Sequence, residues 1–418
     1  MNELKGMDEE KRINIYLIII EIVFIGIAIF SIFAYGDSLL LGSLEEFNND
    51  DVKYIRSAWN LIDNNRLSYE NIKESTVYIM PGLTFVLSFF MSIFGKINGI
   101  VAFKIFQAIL QGASLYLLFL IGEKVFNSKV ALIACFMDSL YLAEIYATNL
   151  VLMEVIFKFL LLLLIYISIY AIEKKSLKLY VLGGIVWATA CLFRPTIAAY
   201  PLLILIMWIK NKYSFSEIVK YTIVVTTIFC IIMIPWWIRN YKTFDRVILF
   251  TKSAGNPFLQ GTFVNYDQSK GCGVPYVKGT DPLENDKNEI KAGLQRLEIY
   301  GKKEPLKYIA WYTFGKTFYF WRAPFYWIAN ISYISVIIYH LVILYWALYG
   351  MIKYKDKSLN FKFLIMVVIY FNVIYLPYYT FERYSYPLMP LMILFAAYTV
   401  NDKRRKKLDY RVKSIDEK

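Results

Sequence analysis

INIYLIIIEIVFIGIAIFSIFA, residues 13–34, is an apolar run of 22 residues. A bilayer crossing needs roughly 20 such residues to cover a ~30 Å hydrocarbon core. Within lipid each backbone group must be satisfied inside its own segment, so the run predicts a transmembrane helix. It is too long for the apolar core of a secretory signal and carries no small-residue cleavage site, so it reads as an uncleaved anchor. Working outward, similar runs recur to the end of the chain. The 418 residues are 58% hydrophobic and 18% aromatic, and mean hydropathy is +0.45. Length alone suggests two or three soluble domains; this composition instead predicts an all-α polytopic membrane protein.

Charge and cysteine usage narrow the class. The net charge is +13, but lysine and arginine collect in short connectors and in NDKRRKK near the C-terminus. That placement orients membrane spans and favours anionic lipids; it does not point to nucleic acid. Cys135, Cys191 and Cys230 fall in apolar runs and Cys272 stands alone in a loop, so no disulfide framework or metal-binding spacing is present. The single histidine, His340, lies in an apolar helix and reads as packed, which argues against chemistry built on a histidine base or histidine ligands.

Candidate spans are 13–34, 77–95, 99–121, 129–147, 150–171, 179–193, 196–209, 217–238, 326–350, 361–380 and 384–400. The continuous run 180–209 would be ~45 Å long as one helix at ~1.5 Å per residue. Arg194-Pro195 interrupts it, because proline removes a helical hydrogen bond and disfavours helix at the residue before it. Two short helices are therefore expected. Both termini are rich in Lys/Arg, and if both are cytoplasmic the number of crossings is even. The surplus candidate is 77–95, which opens with Pro81-Gly82 and is expected to lie along the outer interface. The result is about ten crossings, within a range of nine to twelve. Asp50, Asp51, Arg194, Arg239 and Arg383 then converge on the outer face with the loops 35–98 and 239–325. Polar groups at membrane depth are costly and usually functional.

Adjacent carboxylates beside several arginines at a lipid interface suit glycosyl transfer. A carboxylate takes a proton from an attacking hydroxyl, while arginines hold a departing phosphate through forked, charge-assisted hydrogen bonds. Outside the cell no nucleotide-sugar pool exists, so the donor would be a sugar on a lipid phosphate.

The stretch DDVKY (50–54) resembles the D-[DE]-x-x-Y signature of GT-C glycosyltransferases, closest to the family 39-like group of protein O-mannosyltransferases and aminoarabinose transferases. The likeness continues in order through YIMPGLTFVLSFFMSIFG, ALIACFMDSLYLAEIYATNLVLMEVIF, LGGIVWATACLFRP, IPWWIRNY, TKSAGNPFLQG and ERYSYPLMP. The resemblance implies a GT-C-like helical bundle with outer-face juxtamembrane helices. Its parts are a cytoplasmic N-terminus (1–12), a transmembrane module (13–238) containing the first outer loop, an extracytoplasmic loop (239–325), C-terminal spans (326–400) and a basic cytoplasmic tail (401–418). It implies Asp50 as the catalytic base, Asp51 as the acid that follows it and Glu154 as the acid after the third span. Arg194, Arg239 and Arg383 match the outer-face arginines and are expected on the donor phosphate. Tyr54, Asn240 and Tyr384 are weaker substrate-binding candidates. A divalent cation, Mg or Mn, is an open expectation; Asp51 and Glu154 would hold it. Some relatives add spans or a soluble domain at the C-terminal end, which leaves the acceptor side unspecified.

The implied function is an inverting membrane glycosyltransferase that moves a sugar from a polyprenyl-phosphate donor to an extracytoplasmic hydroxyl on a glycan, lipid or protein. Its partners are the lipid-linked donor, membrane lipids and the acceptor. A lipid-linked glycan flippase and a surface-polymer polymerase or ligase are the rival readings. Blander local readings also stand: Asp50-Asp51 as a helix N-terminus, Glu154 ion-paired with Lys158 four residues on, Lys104 paired with Asp138, and Arg194 and Arg239 as interfacial anchors.

Overall fold

The structure is a computed structural model that describes residues 8–269, 271–279, 281–328, 331–354 and 358–416, with side chains described as far as Asp402 except Ile331. Residues 1–7 of the expected cytoplasmic N-terminus, and the side chains of the basic tail after Asp402, lie outside the described residues. No strand occurs among the described residues; the chain is helical throughout.

The first helix, α1 (Glu9–Tyr35), contains the whole 13–34 run. Two shorter helices follow, α2 (Asp50–Asn64) and α3 (Gly82–Phe94). Next come α4 (Asn98–Val125), then α5 (Ser128–Ser139) and α6 (Leu142–Asn149), which are bent by 56° to one another. Helices α7 (Glu154–Lys174) and α8 (Leu177–Phe193) form an antiparallel pair, followed by α9 (Pro201–Lys210) and α10 (Phe215–Phe244). The long loop carries α11 (Gly255–Gly261), α12 (Pro282–Arg296), α13 (Pro305–Ala310) and α14 (Lys316–Trp321). Three helices close the chain: α15 (Ile331–Lys353), α16 (Leu359–Tyr375) and α17 (Met389–Asp416).

Helices α1, α4, α7, α10 and residues 332–353 of α15 are long and apolar enough to cross a membrane, and the bent pair α5/α6 makes a sixth crossing if it is one span. Among the described residues, helices of spanning length thus fall short of ten. The remaining apolar helices, α3, α8, residues 195–210 and α16, are 10–17 residues long. The expected span 129–147 is divided at Leu140-Tyr141. At ~1.5 Å per residue, α3 is roughly 20 Å long, shorter than the ~30 Å hydrocarbon core. The break at Arg194-Pro195 is present: α8 stops at Phe193, Arg194 is extended (φ −143°, ψ 107°), and Pro195 opens a short 3₁₀ turn.

The core lies between α4, α7 and α17, where Phe103, Leu115, Leu161, Ile165 and Leu391 have almost no accessible surface. By contrast α1, α10 and α15 bury little of their apolar length in the protein. The side chains they leave outside match the hydrocarbon of a bilayer, which removes the usual penalty for exposing them.

The fold brings four chain ends to one pole. Glu154 opens α7, Arg194 follows the end of α8, Asp50 opens α2, and Arg383 sits in a 3₁₀ turn (Glu382–Tyr384) before α17. Gly82 makes the approach of α3 to α8 possible. A Cβ there would come within 2.7 Å of the Leu192 carbonyl oxygen, a backbone atom beside Arg194. Gly82→Ala is expected to force α3 away from α8, lowering stability by roughly 1–3 kcal/mol, the usual cost of overpacking. Thermal unfolding of the purified variant checks this; an unchanged midpoint contradicts it.

Candidate active site

Asn49 caps α2, its side chain accepting from the Asp50 N–H at 2.8 Å. Asp50 and Asp51 are therefore the first two residues of a helix, where the dipole favours negative charge. Their side chains diverge. Asp51 is fully buried and turned towards the loop before the helix: Leu41 N–H donates to it at 2.6 Å and Val52 N–H at 2.8 Å. Asp51 thus fastens residues 41–52 together. Asp50 faces the other way, and its side chain keeps 46% of its surface accessible.

From Asp50 an unbroken chain of charged contacts runs inward. Tyr69 OH donates to Asp50 Oδ1 at 2.7 Å, and Arg383 Nη1 donates to Asp50 Oδ2 at 2.9 Å. The same guanidinium donates through Nε to Glu154 Oε1 at 2.5 Å. Arg194 Nη2 donates to that oxygen at 2.6 Å. Charges alternate along the row, which is neutral as a whole. Glu154, Arg194 and Arg383 are nearly inaccessible; only the Asp50 end opens outward. Arg194 also lies over the rings of Phe157 and Tyr384, each at 5.3 Å. Tyr384 stacks on Tyr375 at 4.6 Å. Tyr54, one turn along α2 from Asp50, is buried and packs against Tyr69 at 5.2 Å between ring centres.

Of the nine candidate residues, Asp50, Glu154, Arg194 and Arg383 are thus joined directly, with Tyr54 and Tyr384 beside them. Arg239 and Asn240 are elsewhere. Arg239 Nη1 donates to the Thr76 carbonyl at 2.7 Å and Nη2 to the Leu67 carbonyl at 3.5 Å, while Asn240 Nδ2 donates to the Ile248 carbonyl at 3.0 Å. Both tether loops, and Arg239 holds the one that carries Tyr69. Two local pairings differ from expectation. Lys158 bonds Glu144, leaving Glu154 to the arginines, and Lys104 pairs with Asp37 at 3.1 Å, leaving Asp138 Oδ1 unbonded.

Three contributors carried no sequence signal. Tyr69 lies in an ordinary polar loop and Tyr375 in an apolar run. Lys316 falls in the long loop 239–325, where no motif marks it. Its ammonium is fully buried and donates to the Leu376 and Tyr378 carbonyls at 2.6 and 3.0 Å, and burial pushes its pKa down to about 7. It ties α14 to the segment that delivers Arg383.

No group of three or more metal-binding side chains occurs among the described residues. Asp51 spends its carboxylate on backbone donors and Glu154 Oε1 faces two guanidiniums. These two residues do not fit a shared divalent cation, and no step is assigned to one.

A family model for dolichyl-phosphate-mannose-protein mannosyltransferases matches residues 80–238. No curated protein sequence matches the chain. Among solved structures it is similar to ArnT from Cupriavidus metallidurans bound to undecaprenyl phosphate, with TM-score 0.52, 11% identity, and coverage of 91% of this chain and 60% of that one. It is also similar to the archaeal oligosaccharyltransferase AglB from Archaeoglobus fulgidus in complex with an inhibitory peptide and a dolichol-phosphate (TM-score 0.53, 13% identity, 94% and 51% coverage). The apo form of an Archaeoglobus fulgidus oligosaccharyltransferase gives TM-score 0.55 at 12% identity, covering 95% of this chain and 52% of that one. The chain spans between about half and three fifths of the length of these proteins. The GT-C resemblance read from the sequence holds at the level of fold.

Burial pushes the Asp50 carboxyl up, but the Arg383 charge and the hydrogen bonds from Tyr69 and Arg383 outweigh it, so its pKa falls below the ordinary 3.8. The stability this pairing contributes is therefore complete above the ordinary value and is lost as pH falls through the lowered one. Carbodiimide labelling of Asp50 against pH, read by peptide mass spectrometry, should show half-labelling below 3.8; a higher midpoint contradicts the pairing.

Proposed function

We propose that this GT-C-fold protein is an inverting glycosyltransferase that moves a sugar from a polyprenyl-phosphate donor to a hydroxyl on an extracytoplasmic acceptor. The observation that carries the reading is the row Asp50–Arg383–Glu154–Arg194, which places an ionised, accessible carboxylate against buried guanidiniums. Asp50 takes the proton of the acceptor hydroxyl as its oxygen attacks the anomeric carbon. The bond from that carbon to the phosphate oxygen breaks, and polyprenyl phosphate leaves with the electron pair. One displacement with one base and no covalent intermediate inverts the anomeric centre.

Behind Asp50, two guanidiniums share a single Glu154 oxygen, an excess of one positive charge. As Asp50 becomes protonated it releases its hold on Arg383, freeing that charge for the departing phosphate. Preorganised cations in a poorly hydrated site are effective at stabilising developing negative charge. Tyr69 orients the base. Asp51 acts by holding the loop before α2.

The donor tail has a place to lie. A cavity of about 260 Å³ runs between α7, α8, α9 and α10, lined by Leu164, Ile167, Gly183, Trp187, Leu205 and Val225 among others. On the side towards Arg194 its lining ends at Trp187 of α8 and Tyr200 before α9, and Trp187 Nε1 donates to the Ile197 carbonyl at 3.0 Å. An isoprenoid chain whose phosphate sits at the arginines would pass Trp187 and Tyr200 before burying its methyl-branched units there.

The polarity of the helices supports an extracytoplasmic site. α7 runs from Glu154 to Lys174 and α8 returns from Leu177 to Phe193. The Lys-rich connectors Lys174-Lys175 and Lys210–Lys212 thus lie opposite the site, where the positive-inside rule places the cytoplasm.

Purified protein in nanodiscs, given a panel of labelled polyprenyl-phosphate hexoses with envelope extract as acceptor, should transfer sugar and release polyprenyl phosphate. Movement of the lipid-linked sugar across vesicles without bond cleavage would instead favour a flippase. Asp50→Asn is expected to slow turnover by about 10²–10⁴-fold, the usual worth of a general base, while the protein remains folded; full turnover in that variant removes the mechanism. In the cavity, a Cβ at Gly183 would meet only Ile167 at 3.5 Å, an ordinary contact. Gly183→Leu should therefore fold yet fill the groove, raising KM for a long-chain donor more than for a short-chain one. Equal KM values would move the tail elsewhere.

A further inference from the structure

A second buried polar cluster lies directly behind the catalytic row. Glu144, Lys158, Gln111 and Tyr386 are each no more than 1% exposed. Lys158 Nζ bonds Glu144 Oε2, and Tyr386 OH donates to the same oxygen at 2.5 Å. Gln111 Nε2 donates to Tyr386 OH at 3.0 Å and to the Glu144 carbonyl at 2.8 Å. The Lys158 ammonium also stands 5.4 Å from the centre of the Tyr386 ring.

Two of these residues sit on the elements that carry the catalytic charges. Lys158 follows Glu154 by one turn of α7. Tyr386 opens the 3₁₀ turn Tyr386–Leu388, immediately after the turn that carries Arg383. One carboxylate oxygen, Glu144 Oε2 on α6, therefore grips both α7 and the 382–388 segment from behind. Besides Glu144, Tyr386 accepts from Gln111 at 3.0 Å and meets Phe325 at 5.6 Å between ring centres.

We propose that Glu144, Lys158 and Tyr386 form a positioning layer that sets the register of Arg383 against Asp50 and Glu154. The proposal rests on the glycosyl-transfer reading for its kinetic consequence, though not for its geometry. A buried ion pair offers little net stability over apolar side chains of similar volume, because desolvation offsets the attraction. Direction is what it adds: an apolar trio would let the 382–388 segment rotate or slide, and Arg383 would lose one of its two carboxylates. Arg383 holds Asp50 and Glu154 at 2.9 and 2.5 Å through different nitrogens of one planar group. A small rotation therefore breaks one of those bonds.

Tyr386→Phe removes one hydroxyl and keeps the ring. It should leave the protein folded, lower kcat about tenfold with little change in KM, and move the carbodiimide half-labelling of Asp50 to higher pH as Arg383 draws back. Single replacement of Lys158 would leave Glu144 buried and unpaired, with misfolding the result. The double variant Glu144→Gln, Lys158→Met is the second test, and the same loss of turnover and rise in the Asp50 midpoint are expected. Turnover is followed with the polyprenyl-phosphate hexose that the wild type uses, and the labelling needs no donor. Wild-type turnover and labelling midpoint in both folded variants overturn the positioning layer. If Asp50→Asn retains full turnover while Tyr386→Phe still shifts the midpoint, the catalytic reading falls and the positioning geometry stands.

Discussion

The interaction on which the rest of the structure depends is the shared guanidinium of Arg383. Burying a charge is costly unless it is paired and hydrogen-bonded, and Arg383 meets that condition by dividing its nitrogens between Asp50 and Glu154. Each partner comes from a different part of the chain: a juxtamembrane helix, the start of a spanning helix, and a 3₁₀ turn between spans. Removing Glu154 would leave Arg194 without a carboxylate partner and Arg383 with Asp50 alone, in a poorly solvated interior. The row therefore acts as a clasp, and of its four side chains only the carboxylate of Asp50 keeps substantial accessible surface.

Most of the surrounding architecture holds that clasp in place. Asp51 fastens the loop before α2, Arg239 fastens the loop that carries Tyr69, and Lys316 ties the long outer loop to the segment before Arg383. In each case a side chain bonds backbone groups that lack partners in a regular helix. Loops at a membrane surface have many such groups, and a long cationic or short acidic side chain satisfies several at once. Residues that resemble catalytic groups by type thus serve as struts, and their partners tell the two roles apart.

This distinction marks the limit of what could be read from the chain alone. Asp50 and Asp51 are adjacent and chemically identical, yet one is accessible and the other fully buried. The helical side-chain rotation of about 100° per residue separates them, and only packing decides which face is inside. The spacing of Glu154 and Lys158 suggested a local ion pair, but α6 inserts Glu144 and takes the lysine. Lys104 likewise pairs with Asp37 at the end of α1 and not with Asp138 on a neighbouring span. Tyr69 and Lys316 fell in stretches with no pattern, because a hydroxyl or amine in a loop acquires meaning only from what is folded against it.

What the sequence determined by itself was local or additive. Runs of apolar residues made the chain a membrane protein, proline after Arg194 ended α8 there, and an ordered set of motifs marked the GT-C fold. The first two follow from hydropathy and backbone geometry within a few residues; the third is a resemblance to a family pattern. Tertiary structure decided which charges meet: it joined Arg383 to Asp50 across 333 positions and left Arg239 to a loop. Charge pairing falls off with distance in space, and distance along the chain is silent about that.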